Sequence, residues 1–375
     1  MTDQVNLSNS NQENPMKRYI TLILILIASS SNAQRKTENV ILITLDGYRW
    51  QELFNGAEQR LITKEFLATD SATLAKEFWM DTPEKRREKL MPFVWTTIAK
   101  EGQIYGNRAY NNLANVTNKQ WFSYPGYSEI LCGFADDARI NSNDKMQNPN
   151  TNVLEFINKQ PGFAGKVAAF SSWDVFPYII NTDRSKVPVN AGIVEAKDKL
   201  NDREKWLNEM MSSVPNPLGD VRLDAFTFNY AFEYLKKNRP RVLYIAFDET
   251  DDFAHGGKYD LYLRSAHYTD AFFKKLWDWC QSDSQYKGKT TIIITCDHGR
   301  GSVNKGDWKD HGINMPNADQ IWIAAIGGDV TAKGELKTAG QVYQNQIAKS
   351  IASLLGLDYK NDPAPGEALK SLTTK

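Results

Sequence analysis

The stretch TTIIITCDHG, residues 290–299, joins a run of β-branched and apolar residues to an adjacent aspartate and histidine. Thr290 to Thr295 have the make-up of a strand buried on both faces, as in a parallel sheet covered by helices, where the apolar run is nearly continuous. Three more runs share that character: NVILITLD at 39–46, KVAAFSSWD at 166–174 and RVLYIAFDE at 241–249. Helical stretches separate them. The alternation predicts an α/β fold with a mostly parallel central sheet between helical layers.

Helical spacing is clearest from about Tyr259 to Cys280, where Tyr262, Ala266, Thr269, Phe273, Leu276 and Cys280 form one core stripe. His267 lies beside that stripe and reads as a packed or solvated helix residue. A later helix, about Gln341 to Leu355, buries Ile347, Ile351 and Leu354 and stops at Gly356, which suits a left-handed cap. Residues 185–222 are rich in charge and proline and read as a loop insertion.

Lysine plus arginine number 45, as do aspartate plus glutamate, and no long block of one sign occurs. That balance argues against a nucleic-acid groove or an anionic membrane surface as partner. From Met16 the chain reads MKRYITLILILIASSSNAQ: a basic start, an apolar core too short to span a bilayer, then small residues ending at Ala33. This is the pattern of a cleavable secretory signal. Residues 1–33 are therefore expected to be an upstream extension plus signal, and 34–375 a single exported domain, periplasmic or secreted, with no anchor left after cleavage. Cys132, Cys280 and Cys296 have neither disulfide-framework nor zinc-ribbon spacing and read as buried small hydrophobes.

Three strand candidates end in acids: Asp46, then Asp248 with Asp251, then Asp297. Ligands of open α/β sheets bind outside the carboxyl ends of the strands, so these acids are expected on one rim. Carboxylates crowded there repel one another and lose solvation, which favours a bound cation. The histidines reinforce this. His255 follows Asp251 by four positions, His298 follows Asp297 directly, and His311 lies in the next loop, so three of the four histidines accompany an acid after a strand. Carboxylate oxygen with imidazole nitrogen suits zinc, with manganese or iron as alternatives. Asp46, Asp251, His255, Asp297, His298 and His311 are enough for two divalent ions. Taken alone, an Asp-His pair is more often a cap or an ion-pair partner than a ligand; the joint placement favours metal.

A nucleophile is offered by NKQWFSYPGYSEILCGFAD, residues 118–136. Ser123 precedes a Tyr-Pro-Gly turn at the start of a helical segment, and a nearby divalent cation lowers a serine hydroxyl's pKa. Ser128 is the second candidate, less favoured because it falls within the helix. No Gly-x-Gly-x-x-Gly or Walker-type loop follows a strand, so no nucleotide cofactor is implied.

TLDGYR, SYPGYSEILCG, DETDDFAH, TCDHGRG and the later HG occur in the order that resembles the alkaline phosphatase superfamily, above all its phosphodiesterase/nucleotide pyrophosphatase and phosphate-monoesterase branches. The resemblance implies that superfamily's fold and a two-metal phosphoric ester hydrolase acting on a small phosphate monoester or diester through a phosphoserine. It implies that Asp46, Asp297 and His298 hold the metal shared with the nucleophile Ser123, and Asp251, His255 and His311 the metal that activates water. The diesterase branch has Pro-Asn-His after the nucleophile where this chain has Pro125-Gly126-Tyr127. Asn141 or Asn143, and Arg300 or Lys305, are candidate substitutes for binding non-bridging oxygens, with solvent exposure the default expectation for all four. Tyr127 stands where the sulfatase signature has arginine, which disfavours that activity; a phosphomutase sits awkwardly with export. A metal-binding exported protein without turnover is the non-enzymatic alternative.

Overall fold

In the computed structural model, residues 1–2 and 36–373 are described, so the signal-like segment lies outside the described residues. Ten strands are assigned among them: β1 (Asn39–Leu45), β2 (Gly102–Tyr105), β3 (Asn112–Asn115), β4 (Val167–Ser171), β5 (Val189–Ala191), β6 (Val242–Phe247), β7 (Thr290–Thr295), β8 (Ile323–Gly327), β9 (Gly334–Glu335) and β10 (Gly340–Tyr343). Eight form one sheet in the order β5-β4-β6-β1-β7-β8-β2-β9, and β3 pairs with β10 in a second. Every neighbouring pair in the large sheet is parallel except those made by β8, which runs against β7 and β2. The four strands expected from sequence all form.

Strand β1 lies at the centre, with Leu45 opposite Phe247 of β6 and Thr44 opposite Thr295 of β7. Because side chains alternate along a strand, each of these strands feeds two cores. Ile41, Ile43 and Leu45 face one layer with Leu243, Ile245 and Phe247; Val40 and Leu42 face the other with Val242 and Tyr244. The first layer is roofed by the helix Tyr259–Ser282, which buries Tyr262, Ala266, Phe273, Leu276 and Cys280. The second includes the helix Ser123–Cys132, through Tyr124, Tyr127, Ile130 and Leu131. Fully covered on both faces, the strands can be apolar throughout. All three cysteines are free and buried, and His267 lies Nδ1 to carbonyl, 2.8 Å from Leu90.

Two expectations change. Residues 341–343 are not helical: Gln341 to Tyr343 belong to β10, and the helix begins at Ile347, where the apolar positions 347, 348, 351 and 354 start their stripe. Its expected end holds, with Gly356 at φ +75°. The segment 185–222 supplies the edge strand β5 and the helix Asp202–Ser213. That helix opens with a capping box in which Asn201 and Glu204 satisfy each other's backbone N–H, and its charge-rich sequence conceals a narrow apolar face around Leu207.

Candidate active site

Because β6, β1 and β7 are neighbours, Asp46, Asp248 and Asp297 emerge side by side at their carboxyl ends. The Gly47 N–H donates to Asp297 Oδ1 at 3.0 Å, and the Thr250 hydroxyl donates to the Asp46 carbonyl at 2.5 Å. After β6 the helix Glu249–His255 presents Asp251 and His255 one turn apart on one face, with His255 Nε2 3.1 Å from Asp251 Oδ2. His311 enters from the loop after the short 3₁₀ turn Asp307–Lys309, its Nε2 2.9 Å from His255 Nε2 and 3.5 Å from Asp251 Oδ1. His298 Nε2 lies 3.2 Å from Asp46 Oδ1, 3.4 Å from Asp297 Oδ2 and 4.0 Å from Asp251 Oδ1. All six residues singled out from sequence thus meet in one place.

Ser123 joins them as the first residue of the helix Ser123–Cys132, within that helix instead of in a turn before it. Its hydroxyl donates to Asp46 Oδ1 at 3.5 Å and lies 3.4 Å from His298 Nε2. Trp121, two residues earlier, takes φ +54°, a strained conformation for a bulky side chain. It is held by its N–H donating to Asn118 Oδ1 at 2.9 Å and by its carbonyl accepting from Gly312 N at 2.9 Å, a direct link to the loop of His311. Buried Glu129, inside the same helix, accepts from the backbone N–H groups of Thr117 and Asn118 and so fixes the approach to Ser123. Gly126 permits the helix to lie directly on the end of β7: a Cβ there would stand 2.4 Å from the Asp297 carbonyl oxygen.

Among other residues named from sequence, Ser128 is buried in the helix against Cys132 and Asn148. Asn141 is exposed, and Lys305 pairs with Glu65 at 2.8 Å, away from the site. Asn143 is exposed yet accepts the N–H of Tyr124, next to Ser123, at 3.0 Å. Arg300 departs from expectation: it is 1% exposed, ion-paired with Asp251, and donates to the carbonyls of Trp308 and Lys309. Tyr127 had no assigned role, but its buried hydroxyl donates to Asp46 Oδ2 at 2.9 Å. The sequence signals for both are single letters in short motifs, the Arg of DHGR and the Tyr of PGY.

The electrostatics are those of an overcrowded acid cluster. Burial, then the charge of Asp46, pushes the Asp297 carboxyl well above its usual range, and burial with Asp251 raises Asp46. Burial pulls the His298 imidazolium down, but Asp297 and Asp46 outweigh it and drive its pKa up to about 9. His311 is held well below its ordinary value by burial and by the charge of His298. Burial would raise Asp251 too, but the Arg300 guanidinium and His311 bring it well down.

Two groups have ligand atoms mutually within 4.8 Å: Asp251, His255 and His311, and Asp46, Asp251 and His298. Asp251 is common to both, and Asp297 approaches the second through Oδ2. The donors fit divalent cations. Asp297 Oδ2 and His311 Nδ1 are buried without a hydrogen-bond partner, and two Nε2 atoms face each other where one must carry a proton unless a cation intervenes. His298 Nδ1 sits 2.8 Å from the Gly299 carbonyl, which fixes its proton there and frees Nε2 for coordination.

Solved structures of similar fold include a protein of the alkaline phosphatase superfamily from Vibrio parahaemolyticus, at 14% identity and TM-score 0.55 over 91% of this chain and 71% of that one. The alkaline phosphatase PafA gives 11% identity and TM-score 0.59 over 92% and 100%. The phosphonate monoester hydrolase SpPMH from Silicibacter pomeroyi gives 12% and 0.56 over 90% and 77%. These likenesses concern the fold. No curated protein matches the chain in sequence. The profile of the type I phosphodiesterase / nucleotide pyrophosphatase family matches residues 59–352, which include Ser123, Asp251, His255, Asp297, His298 and His311 but begin after Asp46. With most of its length matched, the chain belongs to the type I phosphodiesterase / nucleotide pyrophosphatase family.

Proposed function

We propose that the protein is an exported, two-cation phosphoric ester hydrolase that acts on small phosphate monoesters or diesters through a phosphoserine at Ser123. The observation that carries this reading is the position of the Ser123 hydroxyl, 3.5 Å from Asp46 and 3.4 Å from His298 at the edge of the six-residue carboxylate and imidazole cluster. Asp46, Asp297 and His298 would hold one ion beside Ser123, and Asp251, His255 and His311 the other. Zinc, or alternatively manganese, would when bound supply the positive charge that acidifies a hydroxyl or water and offsets charge on the phosphoryl oxygens.

The chain's own groups then have definite tasks. Ser123 Oγ attacks phosphorus in line with the leaving oxygen, its proton passing to solvent while the departing alkoxide takes one up from solvent. The P–O bond to the leaving alcohol breaks as the bond to Ser123 forms; water later cleaves the phosphoserine and restores the hydroxyl. Tyr127 holds the outer oxygen of Asp46, which turns Oδ1 towards Ser123. Asn143, whose carbonyl oxygen already accepts from Tyr124, has amide N–H groups available for a non-bridging oxygen. Family membership supports the hydrolase class. Export rests on the Met16–Gln34 pattern, and a single catalytic domain over 34–375 on the uninterrupted span of the motifs. No helix among the described residues is long and apolar enough to cross a membrane.

Purified protein is assayed on a chromogenic phosphate monoester and the matching diester, with and without chelator, beside Ser123→Ala. Turnover is expected to vanish with chelator and in the alanine variant. Chelator-resistant turnover, or full activity without the hydroxyl, removes the proposal.

A further inference from the structure

The buried Arg300 is unusual company for ligands of a divalent cation. Its guanidinium is locked from two directions: Nε donates to the Trp308 carbonyl at 2.8 Å and Nη2 to that of Lys309. The remaining nitrogen, Nη1, contacts Asp251 Oδ1. The loop itself is tied back, since Gly301 N donates to the Asp310 carbonyl at 3.0 Å. Gly47 closes the other side, where a Cβ would stand 2.6 Å from Arg300 Nη1 and 2.8 Å from Asp251 Oδ1. The cation is thus built into the fold and has nowhere to swing. Asp251 Oδ1 is engaged, while Oδ2 faces His255 at 3.1 Å.

A charge count separates the two halves of the cluster. Asp46 and Asp297 bring two negative charges to the side of Ser123. On the other side, Asp251 brings one, which Arg300 cancels, the exposed Asp310 stands behind His255 at 3.9 Å from its Nδ1, and the imidazoles of His255 and His311 are neutral when they coordinate. We infer that Arg300 is a positioning residue that makes the two cation sites unequal: it leaves Asp251 one free oxygen and removes most of its charge, so that the ion at Asp251, His255 and His311 is held more weakly. This rests on the two-cation reading above. A unit charge a few ångströms from a divalent ion changes its affinity roughly tenfold even under water-like screening.

The test is a zinc titration of chelator-stripped protein against a competing chromogenic chelator, for the wild type, Arg300→Gln and Arg300→Lys. Thermal melts and the tight first step report on folding. The wild type is expected to bind two ions in separate steps at least tenfold apart. Arg300→Gln, which lacks the charge but can still donate to a loop carbonyl, is expected to tighten the second step roughly tenfold. Arg300→Lys, which keeps the charge, is expected to track the wild type. A gain in affinity on losing a buried residue is a result that mere loosening of the loop does not produce. Two equal steps in the wild type overturn the inference without recourse to any variant, as do an unchanged or weakened second step in Arg300→Gln and a single step in both proteins. Absence of any bound zinc removes both this inference and the functional reading, whereas two equal steps remove the inference alone.

Discussion

Adding one methyl group at Gly126 probes how tightly the helix that begins with Ser123 is registered against the end of β7. An alanine Cβ there would sit 2.4 Å from the Asp297 carbonyl oxygen and 2.9 Å from its carbon. These are backbone atoms, and the same oxygen also accepts from Gln344 Nε2 at 2.7 Å, so neither partner yields easily. Restoring ordinary contact requires the helix to retreat by roughly 1 Å. Ser123 begins that helix, so the retreat carries its hydroxyl away from Asp46 and His298. Misplacement on this scale costs about 100-fold in rate. Overpacking should cost about 1–3 kcal/mol, partly offset by about 1 kcal/mol of helix propensity gained on replacing glycine with alanine. Steady-state hydrolysis of a chromogenic phosphate ester and a thermal melt are measured for Gly126→Ala beside Gly340→Ala, where nothing lies within 4 Å of the added methyl. The control should match the wild type, while Gly126→Ala should lose about two orders of magnitude in kcat/KM with only a modest drop in Tm. Wild-type kcat/KM in Gly126→Ala would refute the claim that this contact sets the position of Ser123.

Cation binding should depend on pH. Because the carboxylates push His298 up to about 9, a cation must displace its proton, and zinc affinity is expected to rise by about tenfold per pH unit between pH 7 and that value; a flat profile by competition titration contradicts the arrangement. Stability should respond to a different buried acid, Asp270, which accepts from the backbone N–H groups of Phe93 and Val94 yet is raised by burial from 3.8 to about 7. A carboxyl that binds its proton more tightly in the folded state contributes stability that is complete below the unfolded pKa and is lost as pH rises through the folded one. Unfolding free energy is therefore expected to fall by on the order of 4 kcal/mol from this group between about pH 4 and pH 7, and Asp270→Asn to flatten that window in urea titrations; an identical pH slope in both proteins sinks the assignment.

What could be read from the sequence was whatever has a strong one-dimensional signature. Continuous apolar runs announce strands covered on both faces, and an acid at the end of three of them announces a rim, so β1, β6, β7 and the acids at their ends were legible. Asp251 and His255 were legible as a pair because helical spacing alone brings them together. What escaped depends on contacts between distant segments. The side chain of Arg300 could point to solvent or inward, and only the carbonyls of Trp308 and Lys309 decide. The tie between Tyr127 and Asp46 spans 81 positions of chain. Residues 341–343 were drawn into the following helix because the four-residue strand Gly340–Tyr343 is too short to show a period, and the three-residue β5 was hidden in a proline- and charge-rich stretch for the same reason. The sharing of Asp251 between two ligand groups follows from the positions of its two oxygens, which no spacing rule contains.

The central place of β1 carries one more consequence. Val40 pairs with Val242 on one side and with Thr291 on the other, so both neighbours of the strand bearing Asp46 are made some 200 residues or more after it. During synthesis, Asp46 and Ser123 exist for a long interval without any imidazole to face, and such long-range pairing is slow to form. A chain ended before β6 lacks both neighbours of β1 and every histidine of the cluster. The cluster around Asp46 is complete only once His311 has been made, late in synthesis.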